Sequence, residues 1–305
     1  MASSAEEALR QEIFHHLDQL VADTGVVTRS QLWDFTVDGE VHRLIDRNRG
    51  IRNPRYLEAT LSILSDPDSS YADEQVDDSL FAYDYREGSV DGDNRKLRRA
   101  YELGLPLILL RKIADGVFHP VFPVWVVADD KQNRRFLIAL DANLRAVADP
   151  EHLAPIERRY AEQITAQRLH QPEFRARVLR AYEYRCAVCA LGQPRLLDAA
   201  HIIADGEAHS SATVDNGLAL CKLHHAAYDA NYLGIAPDYT IHVCKSLLEQ
   251  TDGPPMLQHG LQDMHKRRIT VPRKRSERPA SDRLAERFDK FSSDGETESQ
   301  ISGVG

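Results

Sequence analysis

Apolar residues recur three and four positions apart between Ala5 and Ala22. Leu9, Ile13, Phe14, Leu17, Leu20 and Val21 fall on one stripe, the spacing of an amphipathic helix. Just beyond, TRSQLWDF places Thr28 three residues before Gln31, a capping-box pattern that predicts a second short helix. Two short helices joined by a tight turn fit either a winged-helix-like opening or a helical lid. The period then changes. ATLSIL, LFAYDY, LPLILLRKI, FPVWVVADD and RFLIAL are short apolar or aromatic runs, set among DPDSS, EGSVDGDN, DGVFHP and DDKQN, which carry turn chemistry. One helix, Asn94 to Leu103, interrupts them. Residues 1–150 are therefore expected to form an α+β domain, with helices and a curved antiparallel sheet of about five strands.

Residues 151–171 read as a connecting helix. Pro172 predicts a break, after which PEFRARVLRAYEY restarts as a new helix with the proline in its first turn. The second domain is expected over residues 172–291. The last segment, 292–305, is polar and rich in glycine and serine, a composition that predicts a disordered tail.

Composition narrows the class. Hydrophobic residues make up 42% of the 305, as in ordinary soluble proteins. No apolar run is long enough to span a bilayer, and the acidic N-terminus lacks a signal core, so a cytoplasmic protein without membrane partners is expected. The net charge is −9, but its distribution matters more than its sum. Residues 58–84 hold eight acids and no Lys or Arg, residues 86–99 five basic residues against three acids, and residues 266–278 seven against one. Basic stretches in an acidic chain fit either a DNA groove or solvated faces.

Four cysteines do not make a disulfide framework. Cys186-x-x-Cys189 is followed by Cys221-x-x-His224, and two such pairs can clamp a tetrahedral ion, with thiolate and imidazole favouring a structural Zn²⁺. Cys244 competes for the fourth place; His224 is preferred because the two-residue spacing recurs. His225 then points about 100° away from its neighbour on a helix. Asp229, four residues on, shares its face, so the two are candidate ligands of a second metal. His201 lies on an expected strand in LDAAHI, and Asn216 in the loop that follows.

CAVC, LDAAHI and DNGLALCKLHHAAYD, in this order, resemble the HNH nuclease family, whose core is a ββα-metal fold; with the cysteine pairs this predicts a zinc-stabilised ββα-metal domain. The resemblance covers about Phe174 to Leu233. It implies that His201 is the general base, that Asn216 holds the loop and orients that base, and that His225 binds a catalytic Mg²⁺ or Mn²⁺, with Asp229 as a further ligand. Many family members carry Asp or His directly before the first His. Here that residue is Ala200, and Asp198 lies two positions back on the same strand face.

The stretch from Asn94 to Asp130, together with GIRNPRYLEATLSIL, resembles the sulfur-binding domains of McrA-like modification-dependent (type IV) restriction endonucleases. That resemblance implies double-stranded, phosphorothioated DNA as the partner. It further implies a sulfur cup lined by Phe122, Pro123 and Val126, with Arg86, Arg95, Arg98, Arg99 and His119 as candidate DNA contacts. A modified base such as methylcytosine is the alternative mark, and a zinc-stapled DNA-binding protein with an inactive nuclease fold is the alternative class. Since one HNH site cuts one strand, a homodimer is a further expectation.

Overall fold

The computed structural model describes residues 4–47, 49–67, 80–85, 92, 94–205, 207 and 209–301, with the backbone alone over 294–301. The chain divides into two compact units, residues 1–173 and 174–305.

The first unit opens with helix α1 (Ser4–Val21), strand β1 (Val27–Thr28), helix α2 (Arg29–Trp33) and a hairpin of β2 (Thr36–Val37) and β3 (Glu40–Val41). The capping box forms: Gln31 N donates to Thr28 Oγ1 at 3.3 Å, and Thr28 N donates to Gln31 Oε1 at 2.8 Å. Next come β4 (Ile51–Arg52), β5 (Ser62–Ser65), β6 (Phe81–Asp84), α3 (Asn94–Leu103), β7 (Leu107–Ala114), β8 (Val117–Asp130) and β9 (Arg135–Ala139). Each of the five apolar runs overlaps one of these strands. They lie in the order β4-β5-β7-β8-β9-β6, with β1 also paired to β8. The sheet is curled, but it is mixed rather than antiparallel, because β5 and β7 pair parallel. The chain between them passes through β6 at the far edge and through α3, a connection long enough for a parallel return.

Both faces of the sheet are covered, which is why its central strands read as unbroken apolar runs. Along β7, Leu107 and Leu109 enter a core shared with α3, whereas Ile108 and Leu110 enter a second core shared with Ile13, Phe14 and Leu17 of α1 and Leu32 of α2. Helices α1 and α2 are thus a lid on one face of the sheet.

Helix α4 (Pro155–Thr165), a π-turn (Ala166–His170) and helix α5 (Gln171–Ala181) follow without a gap. The break predicted at Pro172 does not occur. A helical proline lacks its N–H and its ring collides with the carbonyl four residues back. The wider π spacing just ahead of Pro172, where Gln171 N reaches Ala166 O, relieves that collision.

The second unit contains β10 (Leu197–His201), β11 (Gly217–Cys221) and α6 (Lys222–Asp229), then β12 (Leu233–Ile235), β13 (Ile241–Val243), α7 (Lys245–Glu249), α8 (Pro255–Gly260) and α9 (Ser281–Ile301). Helix α9 runs on past the polar boundary at residue 292. Leu284 (0% exposed) and Phe291 (9%) anchor its first turns, and a nucleated helix extends through polar residues at little cost. Residues 302–305 of the expected tail lie outside the described residues. No described helix is long and apolar enough to cross a membrane.

Arg10 is an unexpected element of the core. It lies on the inner side of α1 at 0% exposure. Its guanidinium pairs with Glu6 at 2.8 Å and donates to the carbonyls of Thr60 (3.0 Å), Pro106 (2.6 Å) and Ala59 (3.2 Å). It therefore stitches α1 to the segments entering β5 and β7. Removing one partner of a buried pair costs about 3–5 kcal/mol. Arg10→Ala should lower the urea midpoint of the first unit accordingly; an unchanged midpoint would show the pair to be dispensable.

Candidate active site and metal centre

Strands β10 and β11 pair antiparallel with His201 opposite Gly217 and Leu197 opposite Cys221, and α6 follows at once. This is a ββα unit. The loop between the strands is closed by Asn216, which is fully buried. Its Oδ1 accepts from Ile203 N at 2.9 Å, and its Nδ2 donates to Ile203 O (3.1 Å) and Ser211 O (3.0 Å). Gly217 is required by a close approach: a Cβ there would stand 2.4 Å from Val178 Cγ2 and 3.0 Å from Phe174 Cζ, both on α5.

His201 ends β10, half-buried. Its ring stacks on Phe174 with centroids 3.9 Å apart and planes at 11°. Burial pushes the imidazole below its ordinary value; nearby Asp205 opposes the shift and His225 adds to it. A neutral ring at neutral pH is the form a general base needs. Phe174 was not legible as a site residue, since the sequence shows only that it belongs to an apolar helix face.

His225 stands between two carboxylates. Its Nδ1 lies 3.5 Å from Asp198 and its Nε2 3.3 Å from Asp229. Asp198 also receives Lys222 Nζ and lies 3.8 Å from Arg175 Nε. Burial pushes the Asp198 carboxyl up, but Lys222 and His225 outweigh it and hold the group below the ordinary carboxylate range. Lys222 is a second residue absent from the motif reading.

Beside this lies the thiol cluster. One ligand atom each from Cys186, Cys189, Cys221 and His224 lies within 4.8 Å of the others. His224 Nδ1 is 3.1 Å from Cys221 Sγ and 3.5 Å from Cys186 Sγ, and the Cys189 and Cys221 sulfurs are 4.0 Å apart. A tetrahedral Zn²⁺ with Zn–S near 2.3 Å puts its sulfurs about 3.8 Å apart, so the donors fit such an ion. His224 Nε2 meets Gly260 O at 2.8 Å, which makes Nε2 the donor and leaves the Nδ1 lone pair facing the thiols. Without a cation the two thiols titrate apart: their shared hydrogen bond pulls the Cys186 thiol below its ordinary value and is the first cause that pushes the Cys221 thiol up to about 11. Cys244 is not a member; its sulfur meets Ser246 Oγ at 3.2 Å.

The expected DNA contacts of the first unit are more scattered. Arg86 lies outside the described residues. Arg95 is exposed on α3. Arg98 Nε is bound to Asp129 at 2.6 Å, so it neutralises a mostly buried carboxylate instead of reaching outward. Arg99 is paired with Glu102 (2.9 Å) and Glu58 (3.4 Å). His119 places Nδ1 2.8 Å from Gly25 O and Nε2 3.3 Å from Arg168 O; both ring nitrogens face backbone carbonyls.

The three-residue cup does not form. Phe122 is half-buried on the α1 side, 5.7 Å from the Phe14 ring, whereas Val126 is 3% exposed and belongs to the opposite core. The reason is a register shift. Val121 pairs with Leu109 but Val124 with Leu107, so an extra residue at Phe122–Pro123 inverts the alternation of β8. The peptide between these two is cis. Arg168 holds this corner by donating to Phe122 O (2.5 Å), Pro123 O (3.2 Å) and Leu140 O.

Residues 186–236 match the family model described as HNH endonuclease. The chain therefore carries a DNA endonuclease domain of the HNH type. No curated protein matches the chain. Among solved structures it is similar to the modification-dependent TagI restriction endonuclease, at 16% identity over 87% of this chain and 90% of that one, with a TM-score of 0.31. It is also similar to the type IV phosphorothioation-dependent restriction endonuclease ScoMcrA, at 16% identity over 77% of this chain and half (50%) of that one, with a TM-score of 0.22. At these scores neither similarity bears on function.

Metal binding and folding are coupled where a cluster of thiols needs a cation to ionise. Cys186→Ser should therefore yield a second unit that is unfolded or aggregated. Elemental analysis of active protein should find about one zinc per chain; active protein without zinc would remove the site.

Proposed function

We propose that the protein is a metal-dependent restriction endonuclease that recognises phosphorothioated DNA through its first unit and hydrolyses nearby phosphodiester bonds at the HNH site. The observation that carries the nuclease part is the placing of His201: half-buried, stacked on Phe174, kept neutral, and at the end of the strand that also bears Asp198.

In this reading His201 takes the proton of the attacking water. Asn216 keeps the loop behind it closed, so that its ring does not drift. Asp198, already engaged by Lys222, receives Nδ1–H of His225 and fixes the ring. That leaves Nε2 and the more exposed Asp229 as the pair turned toward a divalent ion, the carboxylate–histidine–metal order seen at many metal sites. Asp198 therefore does not replace the ligand that Ala200 lacks. A Mg²⁺ or Mn²⁺ held by His225 and Asp229 would supply charge at the scissile phosphate and the departing oxygen.

For recognition, the apolar wall reduces to Phe122 and Pro123, at the corner that Arg168 holds. An ordinary phosphate oxygen placed against them sheds water without a hydrogen bond in return, which costs roughly 1–3 kcal/mol. Sulfur sheds less hydration and gains dispersion contacts, so the corner discriminates by penalising oxygen. A second reading, a flipped modified base, is favoured by a cavity of about 470 Å³ lined by His16, Ser30, Gln31, Asp34 and Phe35 among others.

Binding and cleavage of duplexes identical except for one stereodefined sulfur, with Mn²⁺, test both parts. Wild type should prefer the sulfur duplex, and Phe122→Ala should lose most of that preference. Equal binding by wild type would sink the sulfur reading, and a methylcytosine duplex would then test the cavity. His201→Ala should cut at least about a hundredfold more slowly while binding as before; wild-type cutting would refute the base. Because the base acts neutral and burial lowers its value, the acid limb of the cleavage profile should fall below the ordinary histidine value of 6.5; a limb above it would contradict the assignment.

A further inference from the structure

Residues 42–56 hold five arginines, Arg43, Arg47, Arg49, Arg52 and Arg55, against one acid, Asp46, in a chain of net charge −9. We propose that this segment, built around Arg43, Trp33 and Arg47, is a binding surface for the phosphate backbone of duplex DNA. The proposal rests on DNA being the substrate of the nuclease domain, and is independent of the mark that is read.

The segment is neither helix nor strand over most of its length, yet it is fixed to the core. Leu44 (0% exposed) and Ile45 (1%) are buried in the cluster under α1 and α2. Leu44 N donates to Leu32 O at 2.8 Å, His42 N to Phe35 O at 2.7 Å, and Ser62 Oγ to Leu44 O at 2.5 Å. On either side of this anchor, Arg43 and Arg47 are exposed. Their guanidinium carbons lie 4.3 Å and 4.8 Å from the centre of the Trp33 ring. Arg49 and Arg55 are also exposed. The acid Asp46 is engaged within the segment, 3.8 Å from Arg52, with its carbonyl accepting from Arg29.

Two guanidinium groups held at one ring concentrate positive charge at the surface. An anion that meets both relieves their mutual repulsion. Guanidinium groups held by stacking keep their N–H edges available and lose little freedom on binding, and planar Arg donors suit phosphate oxygens. Repeated phosphates are the anion that matches several arginines spread along one segment. Tyr56, 55% exposed at its end, meets His42 at the segment's start, with Tyr56 Oη 3.0 Å from His42 Nδ1.

The test is fluorescence anisotropy of an unmodified duplex with full-length protein over a range of salt, without added divalent ion. Arg43→Ala with Arg47→Ala should weaken binding at low salt at least tenfold and make the slope of log affinity against log salt shallower by about two, since each phosphate contact contributes about 0.9. Arg43→Lys with Arg47→Lys should keep most of the slope. Unchanged affinity and slope in the alanine variant would overturn the proposal. So would a loss of affinity at constant slope, which would mean an indirect effect on folding. Equal binding of sulfur and plain duplexes by wild type would sink the sulfur reading and leave this slope change intact. Preserved sulfur preference with an unchanged slope would sink this proposal alone.

Discussion

The geometry of the nuclease domain depends on one buried amide. Asn216 spends its side chain on both backbone groups of Ile203 and on the carbonyl of Ser211. An unpaired polar group at that depth would cost more than a surface bond gains. The loop between β10 and β11 therefore has a single well-paired arrangement, and with it the register that sets His201 opposite Gly217 is fixed. Gly217 then lets α5 close on the hairpin, which brings Phe174 against the His201 ring. A base, its stacking partner and the start of α6 all follow from that closure. Substituting any of these three positions disturbs the others, so their effects should not add.

The thiol cluster supplies what the hairpin lacks. A two-stranded hairpin and a helix of eight residues bury too little to be firm by themselves. Cys221 ends β11 and His224 lies one turn into α6, so a cation at the cluster would lock the helix to the strand. Because His225 is the next residue, its direction is set by the helix that His224 anchors. The stabilising and the reactive histidine are thus adjacent in sequence and divergent in space.

Much of this was readable from the chain. The helix Asn94–Leu103, the capping box at Thr28 and the strand-bearing runs follow from period and turn chemistry, and the cysteine spacing marked the thiol cluster. What was not readable depends on pairing between distant segments. Phe122 and Val126, grouped through a family resemblance, fall on opposite faces because of a register shift visible only against β7. Arg10 looks like a surface residue of an amphipathic helix until the carbonyls of Ala59, Thr60 and Pro106 surround it. Pro172 breaks an ordinary helix, but a π-turn can admit it. Arg98 counts as a free cation in a charge tally and as a counter-ion of Asp129 in the fold.

That last point bears on how an acidic protein can hold a polyanion. Net charge steers at long range, where salt screens it beyond about 10 Å at 0.1 M; contact is decided by the charges within reach of the backbone. On α3, Arg98 and Arg99 are answered by Asp129, Glu58 and Glu102, so this helix contributes less positive potential than its composition suggests. In residues 42–56 the balance is the reverse, five arginines to one aspartate. In the proposed DNA surface, contact would therefore rest on residues 42–56 more than on the paired arginines of α3.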